Sequence, residues 1–326
     1  MRIQGPTRFP CSRHRAVLWP STMRDVLDPT LDVVFKILLA HPDNTDVLVA
    51  LLSAVLRPEV PIKTVTVKNP EIPKENVDDR GVILDLLVVL DDGRSVDVEM
   101  QVESHPGVRR RALLYWARTY SANIQRGESY ASIKPTVLVW FLNYCAFESI
   151  PYHSRWWVVE PTTGTVFSKA LELHTVELTK LGGLTAEYAE NEKSLVNWGR
   201  FMTAKTDDER KRAAEGDPMV AKAKQVLEDL SEDPETQELA YRRRLALDGY
   251  RLELGAAREE GVAIGRQEGL QKRRVAFIRQ LAIKYGGPVP SYVRARVEQA
   301  GDEHLDQWNE RILSAETLER LFADSA

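Results

Sequence analysis

"ILDLLVVLDDGRSVDVEMQVE", Ile83–Glu103, is the stretch on which the fold turns. Two runs rich in valine and leucine flank Asp91-Asp92-Gly93, so the segment reads as a β-hairpin. A two-residue loop, Asp92-Gly93, would pair Asp91 with Arg94 and set Asp85 across from Met100. A three-residue loop, Asp91-Asp92-Gly93, pairs Leu90 with Arg94 and sets Asp85 across from Glu99. The second form uses Gly93 at the left-handed position of a bulged turn, where glycine is favoured. It also gathers Asp85, Glu99 and Gln101 on one face, because side chains repeat every two residues along a strand.

Two facing carboxylates among valines repel and are costly to bury. A divalent cation with oxygen ligands relieves both problems. Mg²⁺ commonly takes one or two carboxylates, waters and a substrate phosphate, and Mn²⁺ is the natural substitute. The plain alternative is a hairpin with a solvated polar face of Asp85, Asp97 and Glu99, and spacing alone leaves both open.

Around the hairpin the chain reads as mixed α/β. Asp28-Pro29 before "TLDVVFKILLA" marks a helix start, with Asp28 as cap. Pro42 to Leu56 is a second helix, capped near Asp43 or Asn44. "GVRRRALLYWARTYSANIQRG" is a helix ended by Gly127. "KPTVLVWFLNY" is a buried strand by its continuous apolar content. "SRWWVVEP" and "TVFSKALELHTVEL" form a strand pair around a turn. Helices follow from Lys193, two of them opened by Asp-Pro. Glycines 249, 255, 261, 265 and 269 then punctuate a charged stretch that is either a thin exposed helix or partly disordered. Few bulky a/d pairs support a coiled coil there.

The chain has 326 residues, 43% of them hydrophobic, and a formal charge of -4. That length suggests two units, or one domain with extensions. Cys11 and Cys145 offer neither a disulfide framework nor metal-knuckle spacing. No apolar run suits a membrane span. Residues 1–22 lack a secretory pattern and read either as a disordered extension ahead of a natural start at Met23 or as an ordinary flexible terminus. The acidity argues against a strongly basic nucleic-acid binder but hides local patches. Over 241–284, Arg and Lys outnumber Asp and Glu about two to one.

"DPTLDVVFKILL", "ILDLLVVLDDGRSVDVEMQ", "RRRALLYWARTYS", "GESY" and "LELHTVELTKL" together resemble the recombination-promoting nuclease and putative transposase family of the PD-(D/E)XK superfamily. The likeness runs from about Met23 to Phe322 and includes the ending "KYGGPVP…LDQWNERILSAETLERLF". It implies a restriction-endonuclease-like α/β core, a mixed central sheet flanked by helices, followed by a mostly helical C-terminal region. The implied divisions are a nuclease-like domain over 23–235, a glycine-punctuated linker over 236–275 and a small helical module over 276–326.

The resemblance also implies roles. Asp85 takes the place of the motif's first aspartate, although Leu84 replaces the usual proline. Glu99 takes the place of its second acid. Gln101 stands where the superfamily has lysine, and glutamine cannot supply a positive charge. It can still orient a water or a phosphate oxygen. Asp32 corresponds to a helix carboxylate brought near the metal, or is simply solvent-facing. Lys36, one turn on, reaches phosphate or pairs with Asp32. Arg111, Tyr115 and Arg118 share a helix face, and Arg111 and Tyr115 are the expected phosphate grips. His174 reads as structural. Trp156 and Trp157 suit base stacking, but one of two neighbours on a strand points inward.

The expected activity is a Mg²⁺-dependent DNA endonuclease of low sequence preference, promoting recombination or transposition. It would be cytoplasmic, nucleoid-associated on DNA, and dimeric where both strands are cut. A catalytically inactive DNA-binding or assembly module and a metal-dependent RNase are the other readings.

Overall fold

The computed structural model describes residues 26–68, 86–104 and 107–323. Its elements in chain order are α1 (Asp32–Ala40), α2 (Thr45–Leu56), β1 (Val65–Val67), β2 (Leu86–Leu90), β3 (Ser95–Gln101), α3 (Val108–Ala122), β4 (Thr136–Leu142), β5 (His153–Val159) and β6 (Val166–Glu177). Then come α4 (Ala186–Asn191), α5 (Lys193–Thr203), α6 (Asp207–Ala214), α7 (Pro218–Glu232), α8 (Pro234–Lys284), α9 (Ser291–Gln299), α10 (Asp302–Arg311) and α11 (Leu318–Leu321).

The strands form one mixed sheet in the order β1-β2-β3-β4-β6-β5. β1, β2 and β3 are antiparallel neighbours, β3, β4 and β6 run parallel, and β5 returns antiparallel on β6. This is the expected mixed sheet with flanking helices. β4 is buried at every position, as its unbroken apolar run requires. On one face, Val108 and Ala112 of α3 pack against Leu138, Trp140 and Leu142 of β4. Phe141 points the other way and meets Phe35 of α1 with ring centroids 5.8 Å apart. So α1 and α3 lie on opposite faces of the sheet.

Two helix starts differ from expectation. Asp28 does not cap α1. Its Oδ1 accepts from the Thr30 backbone N–H (2.9 Å) and hydroxyl (2.6 Å), which closes a turn, and the helix opens at Asp32. Asn44 precedes α2, but its side-chain amide donates to Leu38 O at 2.9 Å, tying the end of α1 to the start of α2. The Asp-Pro signals later in the chain hold. Asp217 accepts from the N–H groups of Met219 and Val220, and Asp233 from that of Thr236.

The chain divides into two units, 1–246 and 247–326. α8 spans this boundary as a single 51-residue helix, so the glycine-punctuated stretch is the thin exposed helix. No proline falls between Pro234 and Pro288 to break it. Each interior glycine costs about 1 kcal/mol relative to alanine. In the second unit Trp308 packs against Phe277 and Phe322, at 6.0 and 4.7 Å between centroids, with Leu281, Val293, Val297, Leu305 and Leu321 buried around it. Lys284 donates to Ile312 O and Tyr285 Oη to Ala315 O, binding the last segment to the helix end.

Candidate active site

The hairpin takes the three-residue form. Leu90 N donates to Arg94 O and Gly93 N to Leu90 O, each at 2.9 Å, and Gly93 has φ +86°. The ladder runs Val89↔Ser95, Val88↔Val96, Leu87↔Asp97 and Leu86↔Val98. Asp85 lies outside the described residues.

Glu99 is fully buried in β3 and sits beside Trp140 of β4. Its Oε2 accepts from Trp140 Nε1 at 2.7 Å and from Gln101 Nε2 at 3.4 Å. Gln101 Oε1 accepts from Arg111 Nη2 at 2.8 Å. A guanidinium offers only donors, so the amide oxygen must face Arg111 and the amide NH₂ must face Glu99. The order carboxylate, amide, guanidinium is therefore chemically fixed. Arg111 lies over the Tyr115 ring at 5.8 Å, and its Nε is buried with no hydrogen-bond partner among the described residues. Asp97 shares the face of Glu99 and is also buried.

The structure thus brings Glu99, Gln101, Arg111 and Tyr115 together on the α3 face of the sheet. Asp32 and Lys36 come from α1, on the other face, and both are buried. Arg243 of α8 grips Asp32 as a fork, with Nε 2.9 Å from Oδ1 and 2.8 Å from Oδ2, and Nη2 2.5 Å from Oδ2. Arg118 is exposed.

Tyr144 was not singled out by spacing. It follows β4, and burial pushes its hydroxyl pKa up, opposed by the Arg111 and Arg109 charges and aided by Glu177 and Glu99. Its hydroxyl has no partner among the described residues. A lone tyrosine after an apolar strand carries no local signal of this.

The opposite face holds a second polar chain. His153 pairs with His174 through Nε2 to Nδ1 at 2.9 Å. His174 Nε2 lies 2.8 Å from Glu172 Oε1, and Arg57 Nη2 lies 3.1 Å from His153 Nδ1. Arg57 can only donate, so His153 carries its proton on Nε2 and passes the same polarity through His174 to Glu172. Both rings are neutral in this order. Burial, then the neighbouring His174 ring and the Arg57 and Arg155 charges, hold His153 down at about 3, and burial also lowers His174. A base held down when folded is protonated first in the unfolded chain. Stability is therefore complete above pH 6.5 and falls as pH drops toward 3, at about 1.4 kcal/mol per pH unit for each fully titrating ring. Urea midpoints should fall between about pH 7.5 and pH 4.5, and His153→Gln should flatten that slope. Equal slopes in parent and variant would dissociate the histidine pair from acid sensitivity.

A family model described as PD-(D/E)XK nuclease family transposase matches residues 29–250. The chain belongs to that family. No curated protein and no solved structure matches it. In a PD-(D/E)XK nuclease family transposase the substrate is nucleic acid, and divalent metals generally serve the superfamily. The donor chemistry here fits a hard cation in type, since Glu99 offers buried carboxylate oxygen. Among the described residues no three His, Cys, Asp or Glu side chains converge as a metal cluster, so they do not by themselves make a complete ligand set. No helix among them is long and apolar enough to cross a membrane.

Proposed function

We propose that this family member is a Mg²⁺-dependent endonuclease that hydrolyses DNA phosphodiester bonds with little sequence preference, in support of recombination or transposition. The observation that carries the reading is the ordered array Glu99, Gln101, Arg111 on β3 and α3. The family resemblance assigns the motif's acid and lysine positions to Glu99 and Gln101. The described ladder ends at Leu86↔Val98, and the sequence reading of the three-residue loop is what supplies Asp85 as the partner carboxylate of Glu99.

In this reading Asp85 and Glu99 hold the divalent ion. When bound, that ion activates water and stabilises charge on the phosphate. Trp140 fixes the Glu99 carboxylate from one side. Gln101 is a positioning residue, because its oxygen is committed to Arg111 and its NH₂ to Glu99. Arg111 supplies the positive charge that Gln101 lacks, with a buried Nε–H in reserve for a phosphate oxygen. Tyr115 supports its guanidinium. Asp32 is left out of the metal set because Arg243 occupies both of its oxygens. Lys36 is left out of the phosphate contacts because it is buried.

A DNA substrate places the protein with the chromosome in the cytoplasm, and a pair of copies would serve double-strand cutting. The deciding test is cleavage of matched DNA and RNA in competition, with Mg²⁺ or Mn²⁺ present. Faster DNA cutting supports the reading, and faster RNA cutting makes the protein an RNase. No cutting of either leaves a binding module.

A further inference from the structure

α3 covers β3 and β4 but not the same face of β6 and β5. Between α3 and that sheet face lies a cleft of about 240 Å³. Leu113 and Trp116 of α3 form one wall, and Trp140, Leu173 and Trp156 form the floor. Phe147 closes one side, its ring 5.0 Å from that of Trp156.

All three indole N–H groups are spent elsewhere. Trp116 Nε1 donates to Thr136 O at 3.1 Å, Trp156 Nε1 to Thr175 Oγ1 at 3.1 Å, and Trp140 Nε1 to Glu99. The cleft therefore presents carbon faces and ring edges only. Such a surface holds a flat aromatic group by stacking and reads no hydrogen-bond pattern.

What surrounds it selects the occupant. Arg109 stands at the rim, 4.3 Å over the Phe147 ring, with Nη2 anchored to Ala146 O at 2.9 Å. α3 carries Arg109, Arg110, Arg111 and Arg118 and no carboxylate. A polyanion fits along that helix. Trp140 is shared, since its ring lines the cleft while its N–H holds Glu99. A group in the cleft would lie against the same indole that fixes Glu99.

We infer that the cleft receives an unstacked nucleobase of the DNA strand, held by stacking beside the Glu99 array. This inference rests on the nuclease reading for what happens at Glu99, but not for binding. It names the substrate class as DNA with a single-stranded, frayed or flapped segment, because a base within a duplex must first be extruded. It also accounts for low sequence preference, as every base offers a π-face.

The probe is a thymidine oligonucleotide with one central 2-aminopurine, titrated onto the full chain in EDTA so that no cleavage intervenes. The expected result is quenching of 2-aminopurine on binding, with single strand preferred over the matched duplex. Leu113→Trp, which fills the mouth from an exposed helix position, and Trp116→Leu should each weaken single-strand binding roughly 5- to 150-fold, the range for one stacked base. Each should leave duplex binding within about twofold, since the arginines of α3 remain. Melting curves check that both variants fold. Absence of quenching, unchanged affinity in both folded variants, or tighter binding of matched RNA overturns the inference. Quenching that depends on Leu113, in a protein that never cuts, overturns the nuclease reading and leaves the cleft assignment standing.

Discussion

Arg243→Met is expected to destabilise the N-terminal unit by about 3–5 kcal/mol, because it strands the buried Asp32 carboxylate without its counter-charge. Arg243 and Asp32 are 5% and 6% exposed, so solvent screens little of the loss. For a unit of this size the melting temperature should fall on the order of 10 °C. Asp32→Asn combined with Arg243→Met should recover part of the loss, since an amide can be buried more cheaply than a charge. Thermal and urea unfolding of the three variants measure this. A change below about 1 kcal/mol for Arg243→Met would show that the pair does not anchor α8 to α1. The outcome also bears on chemistry. If Asp32 acts through folding, the double variant should cut DNA at a temperature where it is folded.

The second large effect concerns Arg111. Arg111→Ala should lower the single-turnover cleavage rate roughly 10²- to 10³-fold, the usual loss on removing one donor aimed at developing charge. The double variant Arg111→Ala with Gln101→Lys should regain part of that rate, because lysine at 101 delivers the charge directly. Gln101→Lys alone sets two cations side by side and should gain little. A merely structural Arg111 would show no such rescue. Failure of lysine at 101 to restore any rate in a folded double variant would remove Arg111 from the charge-bearing role.

Much of this site was legible in one stretch of sequence. Asp91-Asp92-Gly93 selected the loop, the loop set the register, and the period of two put Glu99 and Gln101 on one face. The Asp-Pro caps at 217 and 233 were equally local signals. What escaped was long-range. Asp32 and Arg243 are 211 residues apart, and no helical period announces their meeting. His153 and His174 lie on neighbouring antiparallel strands, so only the β5–β6 register places them together. Tyr144 gains its setting from α3 and β3 rather than from its own strand. The helix boundary at Asp28 failed because one aspartate can cap a helix or close a turn, and Thr30 offered the turn.

The proposed chemistry is metal-dependent cleavage by the carboxylate pair Asp85 and Glu99. Nicking of supercoiled plasmid by the parent, Asp85→Ala and Glu99→Ala proteins under Mg²⁺, with folding verified, tests it most directly. Cutting by the parent and its loss in both folded variants is the expected result. Continued cutting by folded Glu99→Ala, or no cutting by the parent at high protein concentration under Mg²⁺ or Mn²⁺, would contradict it.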